Sequence, residues 1–156
     1  MKFSTRTLYG LKAVLVLASR FGEGSLSVSL IAKKEGLSVA YLEQILNSLK
    51  KKGFVKSVRG PQGGYVLAKK PSEITLHALL VVLGDKNFLD LHGKLIITPE
   101  TDEISIANLI FWKKFKSSIE DGLNQTTLKD LIDEARSLKK NKPRKQYAFN
   151  ISESFA

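Results

Sequence analysis

The stretch whose reading decides the fold is Ser29 to Pro71, SLIAKKEGLSVAYLEQILNSLKKKGFVKSVRGPQGGYVLAKKP. At its centre, Leu42, Ile45, Leu46 and Leu49 fall at i, i+3, i+4 and i+7, which predicts a helix over 39–52 with one apolar stripe. Ser38 has the chemistry of its N-cap, and Gly53 ends it. Upstream, a short helix through Lys34 is capped by Ser27 or Ser29, with Leu30 and Ile31 inward and Gly36 as the left-handed residue that follows. Downstream, 54–58 and 65–67 read as paired strands around the tip Arg59-Gly60-Pro61-Gln62-Gly63-Gly64. Gly60, Gly63 and Gly64 are expected to supply positive φ and a thin tip. Helix, tight turn, helix and glycine-tipped hairpin make a helix-turn-helix with a wing, a layout that offers one helix face and one basic loop to duplex DNA.

Charge points the same way. The 156 residues carry a formal net charge of +10, and the charge is segregated. Residues 1–84 hold 13 Lys/Arg against 4 Asp/Glu, residues 85–134 hold 6 against 10, and residues 135–156 hold 6 against 1. Mixed surface charge would only confer solubility, whereas a basic N-terminal half implies a polyanionic partner. The chain has no cysteine, which excludes disulfides, a thiol nucleophile, thiolate-held zinc and a cysteine-held iron–sulfur cluster. That composition fits the cytosol. Arg6 and Arg20 bracket the apolar run 8–18, which does not match a secretory signal, and no apolar run is long enough to predict a membrane span.

Around the central stretch, residues 5–21 predict a helix whose apolar face is Leu8, Leu11, Leu15 and Ala18, widened by Val14. Thr75 caps a helix through Leu83. Residues 95–98 read as a short strand. A long helix is predicted over 102–123, and its apolar residues, from Ile104 to Leu123 and including Trp112, cover more than one side. Such a helix needs two neighbours, and a second subunit supplies one. Thr127, with Asp130 in the capping-box position, opens a last helix with inner face Leu128, Leu131, Ile132, Ala135 and Leu138. Residues 146–151 read as an edge strand. The fold class is α+β, mainly α. It comprises a winged helix-turn-helix domain over 1–84, a connecting segment over 85–101, and a dimerisation helix, a further helix and a tail over 102–156.

Near the N-terminus STRTLYGLKA, and then YLEQIL at 41–46, GFVKSVRG at 53–60 and GGYVLA at 63–68, resemble the winged-helix regulators of the Rrf-two family; NQTTLKDL at 124–131 extends the likeness more loosely. The resemblance implies a homodimeric bacterial transcription factor, a repressor, whose long helix crosses its two-fold mate. Cluster-binding members carry three cysteines before that helix. Here 85–106 has none and His92 is its only histidine, so the cysteine-free branch of the family is the closer comparison and no cofactor is expected.

The candidate DNA-binding residues are Ser38, Ala40, Tyr41, Glu43, Gln44 and Arg59. A carboxylate at Glu43 can accept from cytosine N4, and Gln44 can pair with adenine. Ala40 permits close approach or touches a thymine methyl, and Ser38 offers a hydroxyl to phosphate. Tyr41 is the more ambiguous of the set, its ring fitting against the wing and its hydroxyl against phosphate, with DNA contact and a purely structural role both open. Arg59, a long cation on a slim loop, suits a narrow minor groove. Each also has a plainer role as cap, solvated helix face or soluble turn. The partners expected are a pseudo-palindromic duplex, a second copy and a regulatory protein or metabolite, with no membrane. Two other classes share parts of this pattern: a winged-helix protein-interaction module, and a small-molecule-sensing accessory protein using 85–101. Neither histidine has a paired ligand, so no metal is expected, and no catalytic set can be assembled, so no enzyme is expected. The basic run 139–145 fits either phosphate contact or a solvated tail.

Overall fold

The computed structural model describes residues 3–84 and 97–140. In chain order these form α1 (Thr5–Ser19), α2 (Val28–Glu35), α3 (Val39–Lys51), β1 (Val55–Val58), β2 (Gly64–Leu67), a 3-10 turn at Pro71–Glu73, α4 (Leu76–Leu83), α5 (Glu103–Gln125) and α6 (Leu128–Lys140). The caps are those that the sequence chemistry dictates. Ser27, Ser38, Thr75 and Asp102 each accept a hydrogen bond from a backbone N–H three residues on. Between α5 and α6 the capping box closes as expected, with Thr127 N–H donating to Asp130 at 2.8 Å.

α1 lies at the centre and touches α2, α3, α4, α6 and β2. Its buried residues are accordingly spread round the helix: Thr7, Gly10, Ala13, Val14, Val16, Leu17 and Ala18. The stripe read from the sequence is only part of this, because Leu8, Leu11 and Leu15 stay half-buried. Small residues let the neighbours close in. A Cβ at Gly10 would stand 2.2 Å from a Leu83 methyl of α4. At the same end the Arg6 Nε donates to the Leu83 carbonyl at 3.1 Å. The short α2 buries Ile31 and Ala32, whereas Leu30, expected inward, is 49% exposed. Eight residues of helix have room for one narrow contact face, and Ile31 and Ala32 take it.

The last helix belongs to the same core. Leu128 is fully buried and clusters with the apolar residues of α1 to α4. Its N–H donates to the Ile74 carbonyl at 3.0 Å, and Leu76 N–H donates to the Thr126 carbonyl at 2.9 Å, so the chain entering α6 is clipped to the chain entering α4. Further along, Arg136 donates to the Ser19 carbonyl at 2.9 Å. The predicted inner face is covered only over its first turns. Leu131 and Ile132 are half-buried, but Ala135 and Leu138 are exposed because the helix runs past the end of α1.

The 23-residue α5 spans about 34 Å. It packs on α4, yet none of its residues is fully buried within the chain. Ile104 is 78% and Phe111 57% exposed. Phe111, Trp112 and Phe115 form a ring cluster, with Phe111 and Phe115 stacked 6.2 Å apart and Trp112 edge-on to both. Ile97 and Thr98, placed in a strand by the sequence reading, are in neither strand nor helix; Thr98 N–H instead donates to the Thr101 hydroxyl. The rest of that reading, Leu95 and Ile96, lies outside the described residues, as do His92, the strand expected at 146–151 and most of the basic run 139–145.

Candidate nucleic-acid interface

The centre of the interface is α3. Leu42, Ile45, Leu46 and Leu49 are buried, so the helix is held by its apolar stripe and its other side faces out. Ala40, Glu43, Gln44 and Asn47 are all exposed there, at i, i+3, i+4 and i+7. The exposed polar edge therefore runs one turn further than the residues expected to contact DNA. Lys50 and Lys51 follow in the last turn, at the negative end of the helix dipole.

Ser38 caps this helix, its hydroxyl accepting from Tyr41 N–H at 3.5 Å. Tyr41 does not pack on the wing. Its ring meets Tyr9 of α1 edge-on at 5.8 Å. The reason is helical geometry: position 41 lies on the flank of α3 that turns towards α1, away from the hairpin. Both aromatic rings pack against the core at its margin.

The wing is β1 and β2, antiparallel, with Val55 opposite Leu67 and Val58 opposite Gly64. It is not a free hairpin. Leu26 bridges to Tyr65 through two backbone hydrogen bonds of 3.0 and 2.8 Å, adding a third edge to the ladder. Ser25 Oγ donates to the Gln62 carbonyl at 2.6 Å. The glycines of the tip divide two tasks. Only Gly60 has positive φ, at 120°. Gly63 and Gly64 are there for closeness: a Cβ on Gly64 would stand 2.1 Å from the Leu26 carbonyl oxygen, and one on Gly63 2.7 Å from that of Val58. Arg59 sits exposed at the start of this tip, with no carboxylate paired to it among the described residues. Lys56 is exposed on the strand behind it.

Helix and wing are joined by one side-chain hydrogen bond. Tyr65 of β2 donates its hydroxyl to Asn47 Oδ1 of α3 at 3.0 Å. Burial, reinforced by the nearby Glu43 carboxylate, pushes the Tyr65 phenol above its ordinary value, so the hydroxyl keeps its proton. Asn47 was legible as part of the outward face, but its link to the wing was not, because residues 47 and 65 are far apart in sequence.

The described residues hold no group of three His, Asp or Glu side chains placed to share a metal ion. With no cysteine in the chain, the ligands of an iron–sulfur cluster are missing, and the protein has no such cluster. Among the described residues no helix is long and apolar enough to cross a membrane.

Residues 3–134 match the Rrf2 family model, described as an iron-dependent transcriptional regulator. The HTH-type transcriptional regulator CymR of Bacillus subtilis is 36% identical over 131 residues, covering 84% of this chain and 89% of that protein. The solved structure of CymR, titled the global cysteine regulator of B. subtilis, superimposes with a TM-score of 0.71 at 34% identity, over 86% of this chain and 98% of that one. The structure of T. potens IscR gives a TM-score of 0.69 at 37% identity, over 94% and 95%. The family is one of DNA-binding regulators and not of enzymes. The chain therefore belongs to the Rrf2 family of winged helix-turn-helix transcriptional regulators.

Proposed function

We propose that the protein works in the cytoplasm as a homodimeric repressor that binds a pseudo-palindromic operator. The observation that carries this reading is the pairing of an exposed polar edge on α3 with a basic wing braced beside it. In each protomer α3 enters a major groove. Glu43 and Gln44 meet base edges, Ala40 lets the helix approach, and Ser38 and Tyr41 sit towards phosphate. Arg59 reaches the adjoining minor groove. Lysines of the 1–84 region supply the sequence-independent part of the affinity. A Glu43 carboxylate facing a polyanion costs affinity in general, and it is useful only where a base donor answers it.

The dimer is supported by α5. A helix with Ile104, Ile110, Phe111 and Phe115 exposed along about 34 Å matches a two-fold partner helix, the isologous contact by which regulators of this size place two recognition helices one turn of duplex apart. On this reading residues 1–84 form the DNA-binding unit, with α6 packed into its core, 85–101 connect, and α5 is the dimerising helix. A dimer seated on about two turns of promoter duplex blocks access to it, which supports repression.

The test is fluorescence anisotropy with labelled duplex from this gene's own upstream region and a shuffled duplex, across a salt series. Tight binding to the first and weak, steeply salt-dependent binding to the second is the expected result. No binding to either at low salt would overturn the proposal and favour a protein-interaction role.

A further inference from the structure

We propose that Asn47 is a further base-reading residue of α3, and that Tyr65 of the wing sets its preference for bases presenting hydrogen-bond acceptors, guanine and thymine. This rests on the DNA-binding reading above.

Asn47 continues the exposed edge of Ala40, Glu43 and Gln44 by one turn, on the side of the helix away from the buried stripe. An asparagine with both ends of its amide free pairs bidentately with adenine, because it can donate to N7 and accept from the N6 amino group. Asn47 is not in that condition. The Tyr65 hydroxyl donates to Oδ1 at 3.0 Å, occupying one of its two lone pairs and turning the acceptor end to the wing side. Nδ2, with two hydrogens, has no partner among the described residues and is the end left for the groove. An amide turned this way offers Nδ2–H to the groove, which matches N7 and O6 of guanine or O4 of thymine, while the bidentate pairing with N7 and the amino group of adenine is lost.

Tyr65 can hold the amide in this sense because it is itself fixed. It is buried, and its backbone is bonded to Leu26 in both directions. Its hydroxyl stays protonated and so remains a donor. Tyr65 is thus a positioning residue: it touches no base, and it acts by deciding which end of Asn47 a base meets. The same hydrogen bond makes wing placement and base choice interdependent.

The experiment is selection of bound duplexes from a randomised library by the full-length chain, read by sequencing, for wild type, N47A, N47D and Y65F. Thermal melts are run on each. The expected wild-type motif has a guanine or thymine preference at one position in each half-site, beyond those altered by E43A. N47A should flatten that position, a loss of roughly tenfold in discrimination. N47D keeps an acceptor for Tyr65 and presents a second acceptor to the groove, so it should turn the preference towards cytosine or adenine at that position alone. Y65F releases the amide and should admit adenine there, while the remaining motif and the melting temperature stay close to wild type. A purely structural role for Tyr65 would instead lower the melt and weaken every position together, and that result would overturn the proposal. So would an N47A profile identical to wild type, or an N47D profile without the switch. A wild-type protein that enriches no motif would sink the DNA-reading function itself, and is distinguishable from all of these.

Discussion

Truncating Leu128 tests whether α6 is part of the folded core or an appendage to it. Leu128 is fully buried, and it is the only residue of α6 that is. Leu128→Ala removes three carbons from a site whose walls are poorly able to move. Ile74 beside it is itself buried, and the two chains are tied by the hydrogen bonds from Leu128 N–H to the Ile74 carbonyl and from Leu76 N–H to the Thr126 carbonyl. A cavity that cannot collapse places the cost in the middle to upper part of the known range, about 3–4 kcal/mol. For a chain of this size that lowers the melting temperature by roughly 6–15 °C. Leu138→Ala is the control: the same chemistry on the same helix at an exposed position, expected within about 0.5 kcal/mol of wild type. The assay is urea unfolding followed by circular dichroism, at one protein concentration for all variants, because dimer dissociation contributes to apparent stability. One transition moved to lower urea is expected. A change below 1 kcal/mol, or two transitions of which only one moves, would show that α6 does not share the core, and the reasoning from burial would be wrong.

Glu43→Ala should change which base is preferred at one half-site position and raise affinity for unrelated duplex; an unaltered selection profile would remove Glu43 from the base-reading set. Arg59→Ala should weaken operator binding by roughly tenfold, which is about 1.4 kcal/mol, with the largest loss at A·T-rich flanks. Equal loss on every duplex would make Arg59 a phosphate contact instead, measurable by anisotropy as a shallower salt dependence. Phe111→Lys puts a charge in the exposed ring cluster of α5 and should halve the mass seen by sedimentation equilibrium, leaving the helical signal of the monomer. A dimer that persists in this variant would place the subunit interface elsewhere.

The helices and strands were legible where one local signal dominated. Ser38, Gly36 and the 42–45–46–49 stripe specify α3 with no reference to the rest of the chain, and Thr127 with Asp130 does the same for the start of α6. What escaped the sequence was set by neighbours. α1 is buried on nearly every side because five elements converge on it, so its small residues matter more than the leucine stripe that periodicity picks out. Leu30 and Leu138 look like inward residues by spacing, but the one narrow face of α2 is taken by Ile31 and Ala32, and Leu138 lies past the end of α1. In the candidate site, exposure of Ala40, Glu43 and Gln44 followed from the buried stripe of the same helix. The Tyr41–Tyr9 contact and the Asn47–Tyr65 bond join elements distant in sequence, and spacing within one helix carries no information about them. The wing glycines show the same limit: residue type announced a thin tip, but only the approach of the Val58 carbonyl explains Gly63, and that of the Leu26 carbonyl Gly64.

The double backbone link between Leu26 and Tyr65 has a consequence for how such a protein can change over generations. Because the ladder is fastened on the helix side, the four residues from Arg59 to Gln62 hang from a frame that does not depend on them. Lengthening a loop costs little, each doubling adding about 0.6 kcal/mol. The tip can therefore gain, lose or exchange residues, and with them its groove contacts, while the reading helix stays where it is. Gly63 and Gly64 lie just inside that frame, against the Val58 and Leu26 carbonyls, and there even one added methyl group would force the backbone apart. The boundary between the part open to variation and the part closed to it thus falls between Gln62 and Gly63.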